Sequence, residues 1–104
     1  MITSTARFAT KHGSKYISQL CKHFAHKVEV EYDDTHGRAA LPSGPAQLVA
    51  DAEGLNVRVT APDLKGIIGA RFVIDSHLVT FAYREDFSGF QWNIEPGSTV
   101  EPEA

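Results

Sequence analysis

The feature that most limits the fold is a change of period along the chain. Between Val28 and Ala61 apolar residues recur at every second position in short runs, separated by gaps of only a few residues. Val28, Val30 and Tyr32 alternate with Glu29, Glu31 and Asp33, the pattern of a strand with one buried face. The turn Asp33-Asp34-Thr35-His36-Gly37 follows, with Gly37 available for a positive φ. A short strand around Arg38 to Leu41, the turn Pro42-Ser43-Gly44-Pro45 and a strand over about Ala46 to Asp51 come next, then a tight turn at Glu53-Gly54. The last run is the clearest: Leu55, Val57, Val59 and Ala61 point one way, while Asn56, Arg58 and Thr60 point the other. Parallel neighbours need a crossover of about a dozen residues or more. These four strands are therefore predicted to form an antiparallel meander.

A helical period flanks the meander on both sides. From about Lys11 to Lys27, Tyr16, Ile17, Leu20, Cys21 and Phe24 fall on one helical face, with Thr10 or Ser14 as candidate caps. After Pro62, Asp63 stands at an N-cap position and a second helix is predicted from about Leu64 to Arg84. Its apolar residues do not make one stripe. Leu64, Ile67, Ile68, Phe72, Leu78, Val79 and Ala82 cover one side, and Ala70, Val73, Ile74, His77 and Phe81 much of the other. Such a helix is expected to be central, packed on the sheet, on the first helix and on a second subunit. Gly66, Gly69 and Ala70 allow close backbone approach near its start, and DFSGFQWNI is expected to add a short strand or a packed extended segment carrying Phe90 and Trp92. The predicted architecture is α+β: helix, four-stranded antiparallel meander, helix (α-β-β-β-β-α), with both helices on one face of the sheet.

A chain of 104 residues supports one hydrophobic core and not two. One domain is expected over residues 1–94, followed by a disordered acidic tail over 95–104, rich in Pro, Gly and Ser. Net charge is −3 with no basic block, which argues against a nucleic-acid partner, because phosphate binding rests on Lys and Arg. The single cysteine, Cys21, excludes an intrachain disulfide and a cysteine-based zinc site. No apolar run reaches the length of a signal peptide core or a membrane span, so a cytoplasmic location without membrane association is expected.

The residues able to carry chemistry are few. His12, Gln19, His23 and His26 form a stripe beside the apolar face of the first helix. His23 and His26 lie one turn apart, close enough to share a metal ion, yet structural zinc takes four ligands and catalytic zinc about three. His77 on the second helix is the candidate for a third ligand. The plainer reading makes these imidazoles boundary residues, and no cofactor is predicted. His77 and Arg84 lie seven apart on one side of the second helix, where a proton-transferring imidazole and an anion-clamping guanidinium would suit a small enzyme. A structural ion pair with Glu85 or the first-strand glutamates, fixing how the helices pack, is the preferred reading. Arg71 and Asp75 have the spacing of an intrahelical salt bridge. Cys21 reads as a core thiol, and the paired aspartates beside His36 as turn chemistry. No phosphate loop, nucleophile elbow or HExxH motif is present.

TARFATKHGSKYISQLCKHFAHK and HLVTFAYREDFSGFQW, together with GRAALPSG and LNVRVTAPD between them, resemble a small bacterial family catalogued as domain of unknown function 2218. The family's Cys-Lys-His-aromatic-x-His-Lys run matches Cys21, Lys22, His23, Phe24, His26 and Lys27; its His-Leu-x-x-Phe-Ala-aromatic-Arg-Glu run matches His77, Leu78, Phe81, Ala82, Tyr83, Arg84 and Glu85. Phe24 stands where tryptophan is common, and Asp75-Ser76 and Val79-Thr80 replace more charged pairs. The resemblance implies a bacterial cytoplasmic protein and no established activity. It also implies, by the company relatives keep, a link to iron or siderophore utilisation; an aldolase label on some relatives finds no support here.

The leading expectation is thus a non-enzymatic accessory module for a small ligand or a protein partner, with His23, His26, His77 and Arg84 as its candidate cluster and Cys21 and Glu85 beside it. Two alternatives are a small enzyme with a histidine base and an arginine clamp, and a homodimerising domain using the second helix or the Phe90–Trp92 segment.

Overall fold

Residues 2–9, with no element assigned to them in the sequence reading, form one of the two longest strands. In the computed structural model, which describes residues 1–95, β1 (Ile2–Ala9) is followed by α1 (Gly13–Phe24), β2 (Val30–Tyr32), β3 (His36–Ala39), β4 (Ala46–Ala50), β5 (Gly54–Ala61), α2 (Leu64–Phe81), a 3₁₀ turn over Tyr83–Glu85, and β6 (Asn93–Ile94). The tail expected from residue 95 lies outside the described residues, apart from Glu95.

The meander is present as β2 to β5, but the sheet has six strands rather than four, in the order β2-β3-β4-β5-β1-β6 and antiparallel throughout. β1 pairs with β5 over its full length, from Ile2 opposite Ala61 to Ala9 opposite Gly54. Its period-two signal was present in the sequence. Ile2, Ser4 and Ala6 are buried, but two of the three side chains are small, so the alternation carries little hydrophobic contrast. β6 pairs with β1 at Ser4–Ile94 and Thr5–Asn93, and Glu95 N–H donates to the Thr3 carbonyl at 2.8 Å. Each helix therefore connects two strands that run parallel without being neighbours, α1 from β1 to β2 and α2 from β5 to β6.

Both helices cover the same face of the sheet. α1 lies over β2, β3 and β4, α2 over β5 and β1, and they touch each other. The buried face of α1 is the expected one, Tyr16, Ile17, Leu20, Cys21 and Phe24. It meets Leu48, Leu55, Val57 and Val59 from the sheet and Ile67, Ile74 and Leu78 from α2 in one core. Burying each large aliphatic side chain contributes about 1.5–3 kcal/mol.

Gly37 has no positive φ; it lies inside β3, where a Cβ would meet Ile17 Cγ2 at 2.8 Å and Cys21 Sγ at 3.1 Å. Its role is close approach of α1 to the sheet, not a turn. At Gly66 a Cβ would meet the Ser43 carbonyl oxygen at 2.6 Å, so the start of α2 nests against the β3–β4 turn, and Asp63 caps the helix by accepting from Gly66 N–H at 2.8 Å. α1 has no side-chain cap at its own N-cap residue, His12; Thr10 Oγ1 accepts from the His12 N–H instead.

α2 is not enclosed on all sides. Ile67, Ala70, Ile74 and Leu78 are buried, but Leu64, Ile68, Phe72 and Val79 are exposed. Two helices side by side on one sheet face leave the outer side of each open, so nothing within the described residues covers this one. No helix among the described residues is long and apolar enough to cross a membrane.

Candidate functional site

The last turn of α1 and the middle of α2 bring two of the predicted residues together. The rings of His23 and His77 lie 4.5 Å apart, tilted by 56°, with Phe24 edge-on to His77 at 5.1 Å and Phe81 within 6.3 Å of both. His77 Nδ1 is 2.6 Å from the Val73 carbonyl oxygen. A carbonyl can only accept, so Nδ1 carries a proton and Nε2 points away from this bond. Partial burial, then the neighbouring His77, His26 and Lys27, push His23 below the usual imidazole range. His23 is thus biased toward its neutral form.

The histidine pair divides two depressions. One, of about 280 Å³, is lined by His23, Phe24, Lys27, Val28, Leu41, Pro42, Ser43, Val73 and His77. The other, of about 250 Å³, opens over Ser76, Thr80 and Phe81. The first is the more enclosed and largely apolar. Lys27 is its one formal charge and no carboxylate lines it. It forms where the end of α1, the Pro42-Ser43 turn and α2 meet. Lys27, Val28 and the turn residues escaped sequence reasoning, because only the tertiary arrangement brings the turn to the helices.

Two larger troughs, of about 490 and 460 Å³, lie on the uncovered sheet face. They run over polar strand surfaces whose arginines are already paired: Arg7 with Asp51 at 3.1 Å, Arg38 with Glu31 at 3.3 Å and Arg58 with Glu95 at 3.2 Å. Arg7, followed by the Glu53 N–H, holds the Asp51 carboxyl down at about 2. Size alone does not favour these troughs, since their cations are spent within the fold.

The other predicted residues do not join the pair. His26 is exposed in the turn after α1 and lines neither helix-side depression. Arg84 is exposed and donates from Nε to the Tyr83 hydroxyl at 3.0 Å, with its guanidinium over that ring. Cys21 is fully buried, and burial pushes its thiol up. Glu85 pairs with neither His77 nor Arg84. Its carboxylate accepts from the Tyr16 hydroxyl and from Thr10 Oγ1 at 2.7 Å, which ties the end of α2 to the start of α1. Burial raises its carboxyl, and the two hydroxyls, with His12 and Lys15, more than reverse this, so it titrates below the usual range. Burial and the hydrogen bond to Glu85 push Tyr16 up to about 12.

Arg71 and Asp75 meet through Trp92 instead of through each other. Asp75 accepts from Trp92 Nε1 at 3.0 Å and from Phe90 N–H at 3.1 Å, while the Arg71 guanidinium lies 5.6 Å from the Trp92 ring. The Asp33 carboxylate is engaged by Thr35 and His36 of its own turn, as turn chemistry requires. Among the described residues no group of three or more His, Cys, Asp or Glu gathers at metal-binding distance.

The sequence matches over residues 5–93 the family described as "Uncharacterized protein conserved in bacteria (DUF2218)". Among solved structures, the chain is similar to the NMR structure of PA4090 from Pseudomonas aeruginosa. The two are 25% identical, the match covers 95% of this chain and 100% of that one, and the TM-score is 0.74. No curated protein matches the chain.

Proposed function

Since the chain belongs to this bacterial family of domain of unknown function 2218, and the family description names no activity, we propose from the site itself that the domain is a non-catalytic module for a small amphipathic anion. The observation that carries the reading is the cavity of about 280 Å³ beside the His23–His77 pair. It is slightly smaller than the range of roughly 300–1,000 Å³ typical of drug-sized ligands, which suits a compact one. Phe24, Val28, Leu41, Pro42 and Val73 offer apolar contact, Lys27 supplies charge, and an imidazole of the pair, once protonated, supplies an N–H donor to the anion. An apolar body ending in a carboxylate satisfies all three.

The enzyme alternative needs Arg84 beside His77, and Arg84 is engaged with Tyr83 instead. Two imidazoles supply half the ligands of a structural zinc, so the reading uses no metal, and the link to iron utilisation gains nothing from the site.

Titration calorimetry with octanoate and octanol distinguishes charge from burial. Octanoate is expected to bind and octanol to bind more weakly. Lys27→Ala and His77→Ala are expected to lower octanoate affinity while leaving the melting temperature within a few degrees. Affinity should rise as pH falls through the imidazole range, because the anion favours protonated His23. Equal binding of acid and alcohol, or no response to Lys27→Ala, overturns the reading.

A further inference from the structure

α2 turns a second apolar face outward. Leu64, Ile68, Phe72 and Val79 are 41%, 64%, 70% and 43% exposed and fall within about 80° of the helix circumference; Tyr83, 62% exposed, continues the row into the 3₁₀ turn. The core does not use these side chains, and they lie away from the His23–His77 cavity. An uncovered row of this size on a small domain marks a contact surface.

We propose that the face binds a second copy of this chain, with the two α2 helices antiparallel about a two-fold axis beside Phe72. A two-fold contact uses the same patch twice, so the patch must complement its own reverse. This one does. The register that sets Ile68 against the partner's Val79 also sets Leu64 against the partner's Tyr83 and Phe72 against the partner's Asp75, whose carboxylate is already taken up by Trp92 Nε1 and the Phe90 N–H. The same register sets Asp63 against the partner's Arg84. Neither of these has an ion-pair partner among the described residues. Opposite charges at the two ends of an apolar row favour the antiparallel arrangement and oppose the parallel one, which would set like against like.

Other occupants fit less well. A bilayer surface favours an apolar stripe flanked by many cations, whereas this chain carries −3 and Asp63 stands at the head of the stripe. A helix of 18 residues offers less than the roughly 800 Å² per partner of a standard interface, so the dimer forms in a concentration-dependent way.

Sedimentation velocity of the full chain, from low micromolar to near-millimolar concentration, tests the proposal. Dimer is expected to accumulate at the upper end. Ile68→Glu and Phe72→Glu are expected to abolish it without lowering the melting temperature, since neither side chain belongs to the core. Arg84→Glu should weaken it about two- to five-fold, the reach of an exposed ion pair. Phe72→Cys should cross-link on mild oxidation, with buried Cys21 unable to compete. A monomer at every concentration, or a dimer indifferent to Phe72→Glu, overturns the proposal. So does a dimer that neither responds to Arg84→Glu nor cross-links through Phe72→Cys. Binding to phosphatidylglycerol vesicles that requires Phe72, without self-association, overturns it in favour of a membrane. Octanoate binding should be the same in Phe72→Glu, so either reading can fail alone.

Discussion

α1 and α2 lie side by side on one face of the same sheet, and they spend their apolar residues differently. In α1 the large apolar side chains, Tyr16, Ile17, Leu20 and Phe24, are buried, and its open side carries Lys15, Lys22 and His23. In α2 one row, Ile67, Ala70, Ile74 and Leu78, serves the core, while Leu64, Ile68, Phe72 and Val79 face outward. Folding accounts for every apolar residue of α1 and for about half of those in α2. The surplus is where selection for something other than stability is to be sought, because an exposed phenylalanine contributes little to the monomer.

The contrast breaks first at the two rows of α2. Ile74→Ala is expected to cost about 2–5 kcal/mol, because it empties a fully buried position. Phe72→Ala should cost about 0.5 kcal/mol or less in the monomer. Urea unfolding at low protein concentration measures both, and comparable losses would erase the distinction between the rows. The join between the helices comes next. Tyr16→Phe removes one of two hydroxyl donors to the Glu85 carboxylate and should cost about 1.5–3 kcal/mol, the range for hydrogen bonds to charged groups. That loss should vanish in strong acid. The folded carboxyl titrates below its unfolded value, so its stabilisation is present above the usual carboxylate range and disappears as pH falls through the folded value. Against the sheet, Gly37→Ala should cost about 1–3 kcal/mol, since the new methyl meets Ile17 and Cys21 and α1 must lift.

A smaller effect tests the polar edge of α1. His23 is held below the usual imidazole range, so the unfolded chain takes up its proton first as pH falls. Stability should drop as pH falls through the usual imidazole value of 6.5 toward the lower folded value, and show no His23 contribution well above it. His23→Gln should flatten that limb of the urea-midpoint profile; an unchanged profile would show that folding does not hold His23 below its usual range. The smallest effect belongs to the exposed Arg7–Asp51 pair. Asp51→Asn should alter only the acid limb, between the usual aspartate value of 3.8 and about 2.

The meander was legible because its strands are short, alternate strongly and are joined by turns too brief for any other pairing. α1 was legible because its apolar period is clean. β1 was not, since a strand whose inward residues include Ser4 and Ala6 gives weak alternation even though it pairs over eight residues. The candidate site was half legible. His23 and His77 could be named, but their meeting, and the departure of Arg84 and Glu85 to Tyr83 and Tyr16, could not. Seven residues along an ideal helix return to the same side, yet α2 ends at Phe81 and the chain tightens into a 3₁₀ turn, which swings Arg84 away from His77.

By itself, then, the sequence determined which segments could be strands or helices, because local period and turn chemistry act over a few residues. It also determined that α2 carried more apolar surface than one core face needs. Which of α2's two rows is buried, which histidines meet and where a cavity opens were decided by tertiary structure alone. These depend on how α1 and α2 share one sheet face, a matter of packing between residues distant along the chain.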